Sequence, residues 1–160
     1  MTAAGTTPVY FVRHALAGHR EHWGGPDHVR PLDSEGRRQA EALVDLFENQ
    51  PFSHLVSSPY VRCVETFEPL ARVRGLEIEI ADELEEGVAV DPTFELILRS
   101  AGDGPVAMST HGDIVENVLD RLATLDVPLT GPVAFEKGST WVLEVGDGCV
   151  LGARYLPPPF

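Results

Sequence analysis

The sequence predicts an α/β domain with a mainly parallel central sheet and helices on both faces, and three observations support this prediction. Short runs of β-branched and aromatic residues alternate with segments of helical periodicity, which is typical of this class. Several of these runs end in polar residues with a helix behind them, as the strands of a parallel sheet do. The chain has 160 residues, 43% of them hydrophobic, so we expect one domain over residues 1–160 with its own core.

The first half of the chain contains two predicted strands, each followed by a predicted helix. Residues 8–12 form a β-branched and aromatic run that favours a buried strand. After a long loop, Asp33 or Ser34 is expected to cap the first helix. The apolar positions of this helix recur at helical spacing: Ala40, Leu43, Val44 and Phe47. Residues 55–56 lie in the second strand, and the Ser-Pro pair at 58–59 is expected to begin the second helix.

The following segment contains two further pairs of a strand and a helix. Residues 76–80 alternate between apolar and polar side chains, which predicts a third strand. Asp91 with Pro92 is expected to start a helix that turns three apolar side chains inward: Phe94, Ile97 and Leu98. Residues 106–108 predict a fourth strand. The helix that follows His111 has an apolar face made of Val115, Val118, Leu119 and Leu122.

The last two predicted strands lie at residues 139–145 and 149–155. They flank a Gly-Asp-Gly turn at 146–148, which suits a tight hairpin because these residues tolerate the positive φ angles that such turns require. We therefore expect one antiparallel pair beside the otherwise parallel strands.

The overall charge restricts the partners that the chain is expected to bind. There are 12 Lys and Arg residues against 25 Asp and Glu, so the formal net charge is −13. Long-range repulsion argues against nonspecific binding to nucleic acid or to anionic membranes, although a few local arginines can still hold a small anion. We therefore expect neither nucleic acid nor membrane among the partners. Lys137 is the single lysine.

The beginning of the sequence and the cysteines indicate a cytoplasmic protein. Residues 1–8 lack the basic and apolar regions of a secretory signal, and no apolar run approaches the roughly 20 residues of a membrane span. Cys63 and Cys149 lie far apart in the sequence and are expected to be reduced thiols.

Several common phosphate-handling sites are excluded by their residue patterns. A cysteine phosphatase loop needs an arginine six positions after the cysteine, where this chain has Pro69 and Tyr155. There is no Asp-x-Asp for aspartyl-phosphate chemistry, and no glycine-rich loop precedes the single lysine, which excludes a P-loop. The chain also lacks the glycine fingerprint of dinucleotide folds and the Gly-x-Ser-x-Gly elbow of serine hydrolases.

Histidine and arginine side chains remain as candidates, and they fall where a parallel sheet binds ligands. Arg13 and His14 directly follow the first predicted strand and His111 follows the fourth, so all three are expected beyond the carboxyl ends of the strands. Arg62 lies in the first turns of the second helix. An imidazole can attack phosphorus and become a phosphohistidine. Two arginines and a second, protonated histidine can neutralise the phosphoryl oxygens.

This chemistry also needs a carboxylic acid, which would protonate the leaving oxygen and then activate water. Acidic residues cluster just past the third predicted strand, at Glu83, Glu85 and Glu86. The chemistry needs no metal ion, because the arginines and the second histidine supply the positive charge.

Three motifs carry the candidate residues in order along the chain. Arg13 and His14 come first, residues 57–66 read Ser-Ser-Pro-Tyr-Val-Arg-Cys-Val-Glu-Thr, and His111 is followed by Gly112. These motifs, with the Leu-x-x-x-Gly-x-x-Gln-Ala stretch that ends at residues 39–40, resemble the histidine phosphatase, or phosphoglycerate-mutase-like, superfamily over nearly the whole chain. The usual motifs of that family are Arg-His-Gly, Ser-Ser-Pro-x-x-Arg-x-x-x-Thr and His-Gly.

The resemblance implies a role for each candidate residue. His14 would be the nucleophile, Arg13 and Arg62 would bind phosphate, and His111 would act both in phosphate binding and in catalysis. The family's Leu-x-Glu pattern falls on Leu84 and Glu86, so Glu86 is the expected general acid, with the other two glutamates of the cluster in reserve. Neither a metal nor another cofactor is implied.

Two residues depart from the family pattern. Ala15 replaces the usual glycine after the first histidine, which some short bacterial members also show. Phe67 replaces the alanine that usually follows the threonine of the second motif, and it should not reach the phosphate. We expect the alanine to be tolerated and the phenylalanine to crowd the helix without affecting phosphate binding.

The resemblance is to short, phosphohistidine-phosphatase-like members with a minimal cap over the site. A small cap leaves the site open and favours a bulky substrate, such as a phosphohistidine on a protein, over an enclosed sugar phosphate. The segment 13–32 also resembles the phosphatase domain that is joined to Nudix domains in actinobacteria, which would indicate nucleotide or dinucleoside polyphosphates. A non-catalytic phosphate-binding module on the same fold is a further alternative. The sequence makes no prediction of oligomeric state.

The long loop at 15–33 carries its own alternatives. Its three histidines, with Glu21 and Asp27, would be metal-ligand candidates, but their spacing matches no standard ligand pattern and a mobile substrate loop is the preferred interpretation. The histidines are His19, His22 and His28. Arg20, Trp23 and Arg30 are candidates for substrate contact or, equally, for a solvated surface.

Overall fold

The computed structural model describes residues 5–160, which form a mixed sheet of seven strands and four α-helices. The strands are β1 (Thr7–Arg13), β2 (His54–Ser57), β3 (Ile78–Ile80), β4 (Val106–Thr110), β5 (Leu129–Thr130), β6 (Thr140–Gly146) and β7 (Cys149–Leu156). The helices are α1 (Ser34–Leu46), α2 (Val61–Arg74), α3 (Val90–Ala101) and α4 (Gly112–Thr124). None of the helices in this part of the chain combines the length and apolarity needed to cross a bilayer.

The order of the strands confirms the predicted α/β class with a mainly parallel sheet. The order is β3-β2-β4-β1-β6-β7-β5, and the first four strands in this order run parallel to one another. β6 runs antiparallel to both β1 and β7, and β5 pairs parallel with β7. Arg13 lies opposite Thr110, and Ser57 lies opposite Ser109, so the carboxyl ends of β1, β2 and β4 meet at one edge of the sheet.

The sheet separates two hydrophobic cores, because alternate side chains of a strand point to opposite faces. Val9 and Phe11 of β1 face the core that α3 and α4 cover, with Leu96, Ile97, Val115, Val118, Leu119 and Leu122. Tyr10 and Val12 face the core that α1 and α2 cover, with Leu43, Phe47, Phe67 and Leu70. Helices therefore cover both faces of the sheet, as predicted, and the ends of the central strands remain free for a site.

The structure corrects the predicted beginning of the second helix. α2 begins at Val61 with Tyr60 in the N-cap position, and not at the Ser-Pro pair. The Ser58 hydroxyl lies 2.8 Å from Nε2 of His111 and accepts only a 3.3 Å hydrogen bond from the Tyr60 amide. The serine therefore contacts the site instead of capping the helix.

Other boundaries differ by a few residues for local reasons. Gly75, in the left-handed conformation, ends α2, and the Leu76 amide then donates to the Ala71 carbonyl, so β3 begins later than predicted. β5 has two residues and was not predicted. The loop at 15–33 contains two short 3-10 turns, Arg20–His22 and Asp27–Val29.

Candidate active site

The ends of β1 and β4 bring the two predicted histidines together. His14 directly follows β1, and His111 is the N-cap residue of α4 directly after β4. The His14 amide donates to the Thr110 carbonyl at 2.9 Å, which extends the ladder by one residue. The two imidazole rings lie 5.6 Å apart between their centroids, tilted by 70°.

The environment of His14 leaves one ring nitrogen without a proton. Its Nδ1 lies 2.7 Å from the Ala15 carbonyl, which can only accept, so Nδ1 carries the hydrogen and Nε2 has the lone pair. Nε of Arg62 donates to Nε2 at 3.3 Å. Burial lowers the pKa of His14 well below 6.5, and the charges of His111, Arg62 and Arg13 lower it further. His14 is therefore a neutral imidazole at pH 7.

Arg62 is fully buried and connects the histidine to the acidic residues. Its Nη2 lies 3.2 Å from Oε1 of Glu86, and the same oxygen lies 3.8 Å from Nδ1 of His111. Glu83 forms an ion pair with Arg99 at 3.2 Å instead. Of the three clustered glutamates, Glu86 is the one that the fold places against Arg62 and His111.

His111 differs from the expectation in its protonation. Burial, followed by the charge of Arg62, lowers its pKa to about 3. The sequence predicts a protonated histidine that helps to neutralise phosphate. In the absence of a bound anion the ring is instead neutral, so it can donate at most one N–H to a ligand.

Arg13 is held between a backbone carbonyl and the first residue of α4. Its Nη1 donates to the Phe135 carbonyl at 2.8 Å, and its Nε is buried without a partner in residues 5–160. A Cβ on Gly112 would lie 2.7 Å from Cζ of Arg13. The glycine after His111 is therefore required for the arginine to lie flat against the helix.

Contacts at the base of the loop at 15–33 explain the glycine and the glutamine of the Leu-x-x-x-Gly-x-x-Gln-Ala stretch. A Cβ on Gly36 would lie only 1.8 Å from the Leu16 carbonyl oxygen, to which the Asp33 amide donates at 3.0 Å. The Leu16 amide in turn donates to Oε1 of Gln39 at 3.0 Å. These contacts anchor the chain just after His14 to α1.

Asp27 reaches the site, although no sequence pattern suggested this. Its Oδ2 lies 3.1 Å from Nη2 of Arg62, and its carbonyl accepts from Nη1 of the same arginine at 2.9 Å. Oδ1 pairs with Arg30 at 3.1 Å and with Arg20 at 3.2 Å. Burial raises the pKa of Asp27, but the hydrogen bond from Arg30 and the charge of Arg62 outweigh it and lower the pKa overall. Asp27 thus ties the loop to Arg62.

The loop histidines do not converge on one point. His19 and His22 pack edge to face at 5.4 Å, whereas His28 packs against Tyr60 at 6.4 Å. Within residues 5–160 no group of three or more His, Cys, Asp or Glu side chains is arranged to hold a metal ion. The loop is instead a wall of the cavity above His14.

The cavity above His14 has a volume of about 530 Å³. Five of the 12 basic side chains line it: Arg13, Arg20, Arg30, Arg62 and Lys137. Lys137 was not among the predicted site residues, since its distance from the motifs in sequence gave no signal. Trp23 lies outside the cavity, where its Nε1 donates to the Pro26 carbonyl at 2.9 Å.

Comparisons with known proteins identify the family of this chain. Residues 9–89 match the family model of the histidine phosphatase superfamily, branch 1. The 8-oxo-(d)GTP phosphatase of Mycolicibacterium smegmatis is 38% identical over 161 aligned positions, which cover 96% of this chain and 49% of that protein. The chain therefore spans about half the length of this curated relative.

Solved structures show the same fold. One described as the phosphohistidine phosphatase SixA of Agrobacterium tumefaciens has a TM-score of 0.72 at 25% identity, covering 95% of this chain and 98% of that chain. The protein histidine phosphatase SixA complexed with tungstate has a TM-score of 0.76 at 18% identity, covering 95% and 97%. A mycobacterial glucosyl-3-phosphoglycerate phosphatase has a TM-score of 0.66 at 16% identity, covering 94% and 97%. The last two, at 18% and 16% identity, are evidence for the fold alone.

Proposed function

The chain belongs to the histidine phosphatase superfamily, and from this premise we propose that it is a phosphatase that forms a covalent phosphohistidine at Nε2 of His14. The observation that supports this most is the state of His14. Its hydrogen bond to the Ala15 carbonyl leaves the Nε2 lone pair unprotonated, and burial keeps the ring neutral. A neutral, oriented imidazole is what attack on phosphorus requires.

In the proposed first step, Nε2 of His14 forms a bond to phosphorus as the bond to the leaving oxygen breaks. Arg13, Arg62 and the N–H of His111 stabilise the charge on the transferred phosphoryl group. Glu86 acts as the general acid, which gives a proton to the leaving oxygen and becomes a carboxylate. Because Asp27 occupies both Nη atoms of Arg62 in the free protein, the phosphoryl group must displace this contact.

In the proposed second step, water replaces the histidine on phosphorus. The Glu86 carboxylate takes a proton from water as the water oxygen bonds to phosphorus and the bond to Nε2 breaks. Inorganic phosphate leaves, His14 returns to its neutral form, and Glu86 is protonated again. The cycle needs no metal ion, since the positive charge comes from the protein.

The proposed substrates are phosphate esters or a phosphohistidine on a protein. The cavity is open to solvent on the side of the loop, where Arg20 is 60% exposed, which suits a bulky phosphorylated partner. The relative from Mycolicibacterium smegmatis, by its name, acts on a nucleoside triphosphate, and this favours nucleotide or dinucleoside polyphosphates as the second candidate.

Rapid quench with a 32P-labelled phosphomonoester tests the proposal. We expect protein-bound phosphate that is labile in acid and stable in base, as a phosphohistidine is, and an unchanged rate in EDTA. His14→Ala should lose the label and the turnover, while His54→Ala, which removes a histidine at the far end of β2, should keep both. Full activity of His14→Ala would contradict the mechanism. Phosphate binding by the wild-type protein without turnover would indicate the non-catalytic module.

A further inference from the structure

The backbone of Lys137 is fixed next to the strand that carries His14. The amide of Gly138 donates to the carbonyls of both Arg13 and His14, at 3.0 and 3.1 Å. The Arg13 amide donates to the Ser139 carbonyl at 3.0 Å. The Lys137 carbonyl accepts from Nε2 of Gln39 at 3.4 Å. The Lys137 side chain therefore starts from a rigid position at the wall of the cavity.

The Lys137 ammonium has no partner in the part of the chain that the structure describes. It makes no hydrogen bond and no ion pair with any of residues 5–160, although it is half-buried in the cavity wall. The loop arginines that share the cavity are paired: Arg20 and Arg30 both contact Asp27. Burial and the charges of Arg13 and Arg30 lower the pKa of Lys137.

The Lys137 ammonium, without an ion-pair partner and near two arginines, is electrostatically unfavourable unless an anion binds there. Like charges near a protein surface repel one another, and partial burial removes part of the water that would screen them. The charge of Asp33 acts on Lys137 in the opposite direction and raises its pKa, but within residues 5–160 no carboxylate forms an ion pair with the ammonium. Arg13, Arg62 and His111 already provide donors for one phosphoryl group, which leaves Lys137 for a second anionic group.

We infer that Lys137 binds a second anionic group of the substrate, adjoining the phosphoryl group that is transferred to His14. The inference rests on the proposed function and narrows it to organic diphosphates, in which the second phosphoryl group lies next to the first. Lys137 is then a specificity-determining residue: it adds affinity for diphosphates and little for monophosphates.

Isothermal titration calorimetry with two uncleavable probes tests this inference without relying on turnover. Methylenediphosphonate carries both anionic groups, and methylphosphonate carries one. We expect the wild-type protein to bind methylenediphosphonate at least tenfold more tightly. Lys137→Met, which keeps a long unbranched side chain and removes its charge, should reduce this difference to less than about twofold. Lys137→Arg should retain most of it.

Arg38→Met is the matched control, because it removes one positive charge from an exposed side chain on α1 that is outside the cavity. It should keep the tenfold difference, which separates a local contact from an effect of net charge. A full difference in Lys137→Met, or an equal loss of affinity for both probes, would overturn the inference.

Turnover of p-nitrophenyl phosphate by the wild-type protein tests the proposed function separately. If turnover occurs and Lys137→Met still prefers the diphosphonate, the proposed function stands and the inference on Lys137 fails. If turnover is absent and the preference depends on Lys137, the anion subsite stands and the proposed function fails.

Discussion

At the scale of single residues, the two histidines differ in which ring nitrogen faces the other groups of the site. His14 presents Nε2, because its Nδ1 is bonded to the Ala15 carbonyl. His111 presents Nδ1 toward Glu86, because its Nε2 lies 2.8 Å from the Ser58 hydroxyl and 3.5 Å from Sγ of Cys63. Burial raises the pKa of Cys63 to about 12, so it packs against the ring as a neutral thiol.

The position of Glu86 predicts how its loss depends on the leaving group. Glu86→Gln should slow hydrolysis of an alkyl phosphate by about 10²–10⁴-fold, because a basic leaving oxygen needs a proton. It should slow p-nitrophenyl phosphate much less, since nitrophenolate leaves without one. Arg62→Ala should slow both substrates to a similar extent. Steady-state kinetics of each variant with both substrates measures this.

Glu83→Gln is the control for this experiment, because Glu83 is paired with Arg99 and does not contact Arg62. It should leave the alkyl phosphate rate near that of the wild-type protein. Loss of the alkyl rate in Glu83→Gln or Glu85→Gln, with Glu86→Gln still active, would show that the acid was assigned to the wrong glutamate.

At the scale of elements, the first turns of α2 place two side chains that contact the site on one face of the helix. Arg62 and Thr66 lie four residues apart and therefore on the same side. Arg62 reaches His14, and the Thr66 hydroxyl accepts from the Ala15 amide at 2.9 Å. This spacing explains the Arg-x-x-x-Thr pattern: the arginine contacts His14 and the threonine fixes the chain after it.

The contact between α1 and the loop predicts unequal effects of two glycine substitutions. Alanine in a helix is ordinarily favoured over glycine by about 1 kcal/mol, but a Cβ on Gly36 would overlap the Leu16 carbonyl. The clash should dominate, and Gly36→Ala should destabilise the protein by at least about 2 kcal/mol. Gly24 lies in the loop at 15–33, where a Cβ would have no neighbour within 4 Å. Gly24→Ala should therefore change the free energy of unfolding by less than about 1 kcal/mol.

Urea unfolding of the two variants beside the wild-type protein measures these differences in the free energy of unfolding. Equal stability of Gly36→Ala and Gly24→Ala would mean that the loop base is not rigidly anchored to α1.

At the scale of the whole molecule, charge is distributed unevenly. The net charge is −13, yet the cavity above His14 has five of the 12 basic side chains in its lining against four of the 25 acidic ones, Glu21, Glu86, Asp113 and Glu116. This concentration lets an acidic protein hold an anionic ligand, because local charges act at short range while the net charge acts at long range and is screened by salt. The two histidines of the site are also buried near these cations. Their protonation is therefore linked to the free energy of unfolding.

That coupling predicts an acid-sensitive stability. The pKa of His14 and that of His111 are both lowered in the folded protein, whereas in the unfolded chain a histidine titrates near 6.5. The unfolded state therefore takes up more protons as the pH falls below about 6.5, and the free energy of unfolding must decrease. Each histidine contributes up to about 1.4 kcal/mol per pH unit, and for His111 this continues to about pH 3.

Urea unfolding at pH 6.0 and pH 5.0 measures this slope before carboxylates of ordinary pKa titrate. His111→Asn should have a smaller slope than the wild-type protein, because one of the two protonations is removed. The same slope in both proteins would show that His111 is not held neutral by burial.

The sequence by itself determined the fold class and the place of four candidate residues. Short strand runs followed by helical periodicity specify a parallel sheet, and Arg13, His14 and His111 directly follow its strands. Arg62 lies in the first turn of α2, the helix that follows β2. These features are local, so patterns within about ten residues are enough to predict them.

Only the tertiary structure decided which charges meet in the cavity. Asp27 pairs with Arg62, Ser58 contacts His111 instead of capping a helix, and His111 is neutral instead of protonated. Lys137 lies in the cavity wall because its neighbours Gly138 and Ser139 hydrogen-bond to Arg13 and His14, more than 120 residues earlier. Such contacts join distant segments, and the pKa values depend on burial by the whole fold, so no local pattern in the sequence encodes them.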